Sequence, residues 1–168
     1  MIVLGIETSC DETSAAVVEN GRQILSNIVS SSVRLHQRYK GIIPEIASRA
    51  HIESISLVVR QALDEAEKKI SDIGLVCVTK GPGLIGSLLV GISFAKAFSF
   101  ALKKPLLGVD HLQAHLYASF LSKGKEQTQV FPALPCVGLV VSGGHTSLLL
   151  VNKKFDFLHI IKYFIQII

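Results

Sequence analysis

Two histidines one helical turn apart are the residues of this sequence best suited to metal chemistry. His111 and His115 stand at positions i and i+4 of HLQAH, a spacing that brings two imidazoles to one face of a helix. Chance also produces such pairs, so an ordinary helix is the alternative. A zincin-type metalloendopeptidase needs a glutamate after the first histidine as general base, and Leu112 occupies that position. The peptidase hypothesis is therefore weak.

A second group of polar residues follows the first apolar run, in GIETSCDET. Thr8 and Ser9 supply hydroxyls, while Asp11 and Glu12 supply carboxylates. Hydroxyls and backbone amides in a tight turn can hold a phosphate, and a carboxylate there can hold a metal or orient a nucleophile. Serine, threonine and aspartate also favour plain turns, which is the alternative.

The segment VVSGGHT is a third candidate, because glycines at a turn let a ligand approach the backbone closely. Its predicted substrate-binding residues are Val140, Val141, Ser142, Gly143 and Gly144. A plain hairpin is again the alternative.

Two further motifs are predicted to be structural. The glycine-rich segment GPGLIGS lacks the lysine of a P-loop, so Gly86 and Gly91 are expected to permit close packing of a helix on a sheet. His51 follows Glu45 and Arg49 at the start of a helix and is expected to be a solvated, capping side chain.

The elements that position these residues are predicted from the hydrophobic pattern. Short apolar runs indicate strands, and the longer stretches between them have the periodicity of helices. Asn20-Gly21 between two runs predicts a hairpin, and Pro44 predicts the first turn of a helix. The pattern predicts an α/β fold with a mixed sheet flanked by helices. Predicted strands cover 2–6, 13–18, 23–29, 75–79, 106–109, 136–141 and 147–151, and predicted helices begin near 44, 84 and 111.

Composition indicates a globular protein. The chain has 168 residues, 49% of them hydrophobic, and a net charge of +4 without a basic block. Three widely spaced cysteines and an N-terminus without a signal-peptide pattern predict a cytoplasmic location. The long apolar stretch from Leu84 to Leu102 contains serines, glycines and Lys96, so we expect a buried helix and no membrane contact.

Five motifs in this order and spacing resemble the TsaD family, the tRNA N6-adenosine threonylcarbamoyltransferases, over about residues 1–152. They are GIETSCDET, PEIASRAH, GPGLIGSLLVG, HLQAH and VSGGHT. The non-catalytic paralogue TsaB differs in its glycine loop and lacks the histidine pair. The resemblance implies the N-terminal lobe of an ASKHA (actin/Hsp70-like) fold.

The resemblance also implies a reaction: transfer of L-threonylcarbamoyl from threonylcarbamoyl-AMP to N6 of adenosine 37, in tRNAs reading codons that begin with A. It implies that His111 and His115 bind one divalent metal ion, Fe2+ or Zn2+, and that 140–144 line the adenylate site. Thr8 and Ser9 match a substrate-facing loop, with Asp11 and Glu12 as its catalytic carboxylates. Implied partners are tRNA, a TsaB-like paralogue and a TsaE-like ATPase.

Family members are about twice as long as this chain, and a second lobe supplies a third metal ligand. We therefore expect a lobe at 1–152, a divergent hydrophobic tail at 153–168, no second lobe, and no activity of this chain alone. A non-catalytic module that binds the paralogous partner is the alternative function.

Overall fold

The described residues form two compact units. The computed structural model describes residues 1–123, 132–141 and 146–163, the last three of these by backbone alone. The first unit contains Met1–His111 together with Ser122 and Lys123. The second contains Leu112–Leu121 and the described residues from 132 onward.

The first unit opens with an antiparallel meander of three strands, as the sequence predicts. These are β1 (Ile2–Glu7), β2 (Glu12–Glu19) and β3 (Gln23–Ser31). Asn20 and Gly21 turn between β2 and β3 with φ of 52° and 71°, the left-handed backbone that asparagine and glycine tolerate best. The hairpin prediction is confirmed.

Helices alternate with parallel strands in the rest of this unit. After the short helix α1 (Val33–His36) come α2 (Pro44–Glu65), β4 (Ile73–Gly81), α3 (Ile85–Leu102), β5 (Leu106–Asp110) and, later in the chain, β6 (Ser122–Lys123); 3-10 turns cover Gln37–Tyr39 and Ile70–Asp72. The helix α4 (His111–Tyr117) begins in this unit at His111, and its other residues belong, with the 3-10 turn Ala118–Phe120, to the second unit. The strand order β5-β4-β1-β2-β3-β6 combines parallel β1, β4 and β5 with the antiparallel meander. The predicted mixed-sheet α/β architecture is confirmed.

One face of α2 forms the core with the sheet. Pro44 occupies the first turn, where its missing N–H costs no helical hydrogen bond. The buried apolar residues of α2 recur at helical spacing and pack against the strands; they are Ile55, Val58, Val59, Ala62 and Leu63. Burying such an aliphatic side chain is worth about 1.5–3 kcal/mol, so this face anchors α2 firmly.

The prediction that α3 is a buried helix is wrong for the described chain. Its buried residues are a stripe of small side chains, Ser87, Gly91, Ala95 and Ser99. Three large side chains point outward, since Ile85 is 80% exposed, Leu89 56% and Phe100 87%. Four others are half-buried against the core: Val90, Ile92, Phe94 and Phe98. By length and composition α3 would also be able to cross a membrane, but the core helix of a soluble protein passes the same test. Small residues let α3 approach the sheet closely, so its larger side chains lie beside the contact or on the outer face.

The second unit contains an antiparallel sheet of β7 (Cys136–Val141), β8 (Thr146–Val151) and β9 (Phe157–Tyr163). Its core joins Leu116 of α4 to Leu149 and Val151. The strand β9 shows that the hydrophobic tail continues this sheet as far as Tyr163. The predicted domain boundary at residue 152 stays a prediction.

Candidate functional site

The carboxyl ends of three parallel strands bring the principal polar groups together. Ile6 pairs with Val78, and Thr79 pairs with Val109. The residues that follow, Glu7 on β1 and His111 after β5, therefore reach the same sheet edge as Thr79. In α/β sheets this edge is where ligands generally bind.

The carboxylate of Glu7 contacts three hydrogen-bonding groups at this edge of the sheet. Its Oε1 accepts the backbone N–H of Ser9, its Oε2 accepts the hydroxyl of Thr79, and Oε2 lies 3.3 Å from Nδ1 of His111. Burial by itself would raise the pKa of Glu7, but the hydrogen bonds from His111, Ser9 and Thr79 outweigh it and lower the pKa to about 2. Glu7 is therefore an anion with a fixed position.

Glu7 and Ser9 both contact Nδ1 of His111. Nδ1 lies 3.3 Å from Glu7 Oε2 and 3.2 Å from Ser9 Oγ. The hydrogen bond to Glu7 raises the pKa of His111, against the opposing effect of burial. A Ser–His–acid triad needs the hydroxyl and the carboxylate on different ring nitrogens. This arrangement is therefore not that of a serine hydrolase.

Every backbone carbonyl of the loop Ser9–Asp11 accepts a hydrogen bond from another element. Leu84 N–H donates to the Ser9 carbonyl at 2.7 Å, and His51 Nε2 donates to that of Cys10 at 3.1 Å. Ser32 donates to the Asp11 carbonyl through its N–H at 2.9 Å and its hydroxyl at 2.7 Å. Hydrogen bonds to three successive carbonyls therefore hold the loop between β1 and β2 in place.

His51 corrects a prediction from the sequence. Expected to be solvated, it is fully buried. Besides its bond to Cys10, its Nδ1 lies 2.7 Å from the hydroxyl of Thr13. Burial lowers the pKa of His51. With Nε2 donating to the Cys10 carbonyl, Nδ1 accepts a hydrogen bond from the Thr13 hydroxyl, so a neutral imidazole connects α2 to the loop Ser9–Asp11 and to β2.

Two glycines, Gly83 and Gly91, let the loop and α3 approach closely. The close packing predicted for Gly91 is found here, whereas Gly86 faces Ser48 of the helix α2 and not the sheet. A Cβ on Gly83 would lie 2.5 Å from the Ser9 carbonyl oxygen, and one on Gly91 would lie 2.3 Å from Thr8 Oγ1. Both separations are too short for any larger residue without a shift of the loop.

The predicted residues of the first loop have different environments. Thr8 is 1% exposed and donates its hydroxyl to the Ser87 carbonyl at 2.8 Å, so any role in binding acts through loop position. Ser9 is also buried, at 3% exposure, beside His111. Asp11 is half-buried and Glu12 is exposed at the start of β2. The catalytic role predicted for Asp11 and Glu12 stays a prediction.

Cys10 lies between these residues but is a poor nucleophile. Burial and the neighbouring Asp11 carboxylate raise the pKa of its thiol to about 11. Only a thiolate attacks efficiently, so covalent catalysis by Cys10 at neutral pH is not favoured.

The second predicted loop is described only in part. Val140 is half-buried and packs on the core of the second unit, whereas Val141 is 68% exposed. Ser142, Gly143 and Gly144 lie outside the described residues. Their predicted role at an adenylate site stays a prediction.

The predicted metal ligands lie on one helix. Both His111 and His115 belong to α4, and imidazole nitrogen is a donor that suits Zn2+ and Fe2+. The donor type fits, but the number is low, since a metal site commonly uses three or four protein ligands. Within the described ranges, no group of three histidine, cysteine, aspartate or glutamate side chains is positioned to hold a metal.

Sequence reasoning included Glu7 in the polar segment GIETSCDET without listing it as a site residue, gave His51 a solvated capping role, and missed Thr79. The available signal for Glu7 was its position directly after a buried strand, where the edge of a parallel sheet is reached. For Thr79 the signal was its position as the last residue of the predicted strand 75–79.

Comparison with known proteins identifies the family. A family model described as TsaD, tRNA N6-adenosine threonylcarbamoyltransferase, matches residues 23–163. The chain belongs to the TsaD family. The match includes α2, the glycine-rich segment and both histidines of α4.

Curated relatives carry the same family name. The chain is 58% identical over 152 residues to the tRNA N6-adenosine threonylcarbamoyltransferase of Syntrophomonas wolfei, covering 90% of this chain and 43% of that protein. It is 49% identical over 160 residues to the Fusobacterium nucleatum protein, covering 95% and 45%. The chain thus spans less than half the length of these TsaD relatives.

Solved structures support the ASKHA-like fold. YeaZ from Pseudomonas aeruginosa matches with a TM-score of 0.58 at 19% identity, covering 94% of this chain and 63% of YeaZ. The Aquifex aeolicus Ppx/GppA phosphatase matches with a TM-score of 0.51 at 12% identity, covering 97% and 52%. At these identities the likeness concerns the fold, and the predicted fold class of this TsaD chain is confirmed.

Proposed function

We propose that this chain is the N-terminal lobe of an enzyme that transfers the L-threonylcarbamoyl group from threonylcarbamoyl-AMP to N6 of adenosine 37 in tRNA, in tRNAs reading codons that begin with A. Membership of the TsaD family supports the reaction class. The observation that carries the proposal is the convergence of Glu7, Ser9 and His111 at the carboxyl edge of the parallel strands. That edge combines a fixed anion, a hydroxyl and an imidazole.

The chemistry requires positioning and charge stabilisation more than a strong nucleophile. The adenylate is a mixed anhydride, so AMP leaves readily, whereas the exocyclic N6 amine is weakly nucleophilic. Holding the two substrates in line supplies much of the acceleration in such a reaction. The fastened loop Ser9–Asp11 suits this task, because its backbone does not have to reorganise when a substrate binds.

A divalent cation, Fe2+ or Zn2+, is part of this proposal, with His111 and His115 as its ligands in this chain. When bound, it would neutralise negative charge on the phosphate and carbonyl oxygens of the adenylate. The carboxylates of Asp11 and Glu12 are proposed to orient the reacting groups, and 140–144 to line the nucleotide site.

We expect the 168-residue chain to transfer no threonylcarbamoyl group to tRNA. A chimera that continues residues 1–152 with the remaining sequence of the Syntrophomonas wolfei relative is expected to be active. In that chimera, His111→Ala and His115→Ala should each lower kcat/KM at least about 100-fold, because each removes a charge-stabilising contact at the reacting centre.

Transfer is measured from threonylcarbamoyl-AMP, labelled in its threonine part, to an unmodified tRNA transcript, and bound metal by elemental analysis of the same samples. Glu53→Ala, an exposed change on α2, serves as the control and should leave both quantities unchanged. Full transfer by both histidine variants would contradict the proposal, as would turnover by the 168-residue chain alone.

The exposed face of α3 favours a second function, binding of a paralogous lobe. Ile85, Leu89 and Phe100 fall within one stripe of α3 at helical spacing, and each is more than half exposed. The exposed Lys96 lies on the same face. An apolar stripe of this kind is typical of a protein–protein interface. We propose that a TsaB-like paralogue docks here, consistent with the fold that the chain shares with YeaZ, and that a TsaE-like ATPase joins the complex.

Phe100→Asp is expected to weaken this association about 30-fold or more, because burying a large aromatic side chain in an interface commonly contributes about 2 kcal/mol. The affinity of the purified chain for the paralogue is measured by calorimetry. Leu35→Asp introduces the same charge at another exposed apolar position and should bind like the wild type. Equal affinities for all three proteins would exclude the α3 stripe as the docking face.

A cytoplasmic location is proposed on the same grounds. The substrate of the reaction is tRNA, and Cys10, Cys77 and Cys136 are free thiols, as expected in a reducing compartment.

A further inference from the structure

We propose that Glu7 is a positioning residue for His111, holding the imidazole with its proton on Nδ1 so that Nε2 carries the lone pair for a divalent cation. This inference rests on the proposed function, in which His111 is a metal ligand. It concerns groups of the first unit alone, and it assigns a role to a carboxylate outside the predicted site residues.

The position of the Glu7 carboxylate is determined by groups other than His111. Oε1 accepts the backbone N–H of Ser9, and Oε2 accepts the hydroxyl of Thr79 on the neighbouring strand β4. These two donors hold the carboxylate plane while Oε2 lies 3.3 Å from His111 Nδ1. The carboxylate is thus in place before any ligand arrives.

The chemistry of Glu7 and His111 determines which ring nitrogen of His111 carries the proton. An ionised carboxylate accepts hydrogen bonds and cannot donate one, so Nδ1 must carry the proton that it shares with Oε2. In the neutral ring Nε2 is then the unprotonated nitrogen, which is the form that coordinates a metal. A carboxylate behind a metal-binding histidine commonly fixes the ring in this way and increases its basicity.

Ser9 does not determine the proton position. Its Oγ lies 3.2 Å from the same Nδ1, but a hydroxyl can donate or accept. It therefore adapts to either state of the ring. Ser9→Ala is expected to leave the proton on Nδ1.

Glu7→Gln should move the proton to Nε2. The Ser9 N–H requires an acceptor on the Oε1 side, so the amide oxygen of the new side chain is expected there and the NH2 group on the side of His111. An NH2 group donates, so Nδ1 must accept and the ring proton must sit on Nε2. The substitution preserves the shape of the side chain at position 7 and moves the expected ring proton of His111 from Nδ1 to Nε2.

The proton position is measured by two-bond 1H–15N correlation spectra of the 15N-labelled 168-residue chain, with a chelator present, at about pH 8.5 so that the ring is neutral. The His111→Gln spectrum assigns the signals. We expect Nδ1–H in the wild type and Ser9→Ala, and Nε2–H in Glu7→Gln. Glu45→Gln, the same change at an exposed glutamate, should match the wild type. An Nε2–H ring in the wild type would overturn the proposal whatever the folding of the variants.

A second readout uses Zn2+ alone as the probe. In the chimera described above, Glu7→Gln should bind Zn2+ about 10–100-fold more weakly than the wild type, the usual effect of losing a carboxylate behind a ligand, and Glu45→Gln should bind it equally. Equal affinity in Glu7→Gln would overturn the positioning role. Absence of Zn2+ binding or of tRNA transfer in the wild-type chimera would instead count against the proposed function, since the spectra are recorded without metal or tRNA.

Discussion

Replacing His51 with leucine is expected to lower the free energy of unfolding by about 3 kcal/mol. The substitution removes the donor to the Cys10 carbonyl and the acceptor of the Thr13 hydroxyl. Each buried polar group left without a partner costs about 1–3 kcal/mol. Ser87 Oγ also donates to the Cys10 carbonyl, at 3.3 Å, and this longer contact offsets part of the loss.

Urea unfolding of the 168-residue chain, followed by circular dichroism, measures the effect. His51→Gln keeps one donor and one acceptor and is expected to lose less than half as much. Glu53→Leu tests the same new side chain at an exposed position of α2 and should be nearly neutral. A His51→Leu protein within about 1 kcal/mol of the wild type would show that the loop does not depend on this histidine.

The same variant should change how stability depends on pH. Burial lowers the pKa of His51 below 6.5, so below pH 6.5 the unfolded chain binds a proton that the folded chain does not. The contribution of neutral His51 is therefore complete above pH 6.5 and is lost as the pH falls toward its folded pKa. One such group adds a slope of up to about 1.4 kcal/mol per pH unit. His111, whose pKa is raised, has the opposite effect and is present in both proteins, so the difference curve isolates His51.

Gly91→Ala is expected to destabilise the protein by about 2 kcal/mol. The added Cβ would lie 2.3 Å from Thr8 Oγ1, which must move and release its hydrogen bond to the Ser87 carbonyl. Overpacking costs about 1–3 kcal/mol and the lost bond about 1 kcal/mol. The higher helix propensity of alanine returns about 1 kcal/mol.

Gly86→Ala is the matched control for this change. It lies in the first turn of the same helix, where the gain in helix propensity is smaller, and its Cβ meets chiefly the hydroxyl of Ser48, 2.6 Å away. That hydroxyl can rotate away from its exposed hydrogen bond to the Pro44 carbonyl at little cost, so the thermal midpoint should stay near that of the wild type. A Gly91→Ala midpoint as high as that of Gly86→Ala would mean that the close approach of α3 to Thr8 is not required.

Local patterns predicted most of the elements because each depends on nearby residues. Alternating apolar runs identify β1, β2 and β3, Asn20-Gly21 identifies their turn, and Pro44 identifies the start of α2. The orientation of α3 was not predictable from periodicity. Apolar residues surround that helix, so its sequence contains no polar face to indicate which side is solvent, and the stripe of small residues decides the packing.

The site was predicted in part for a related reason. His111 was found from a local spacing, and the loop Thr8–Glu12 from its composition. The contacts of Glu7 and His51 depend on partners far away in sequence. A charged residue ending a strand and a histidine near a helix start are both compatible with solvent, so sequence alone favoured that ordinary environment for His51.

The pairing of β1 with β4, and of β4 with β5, also determines when the site can exist. Glu7 contacts residues 72 and 104 positions away, and closing such long loops carries an entropic cost that local hairpins avoid. A nascent chain that has formed only the β1–β3 meander contains none of these contacts. The charge, hydroxyl and imidazole of the site therefore come together only once the high-contact-order part of the sheet has assembled.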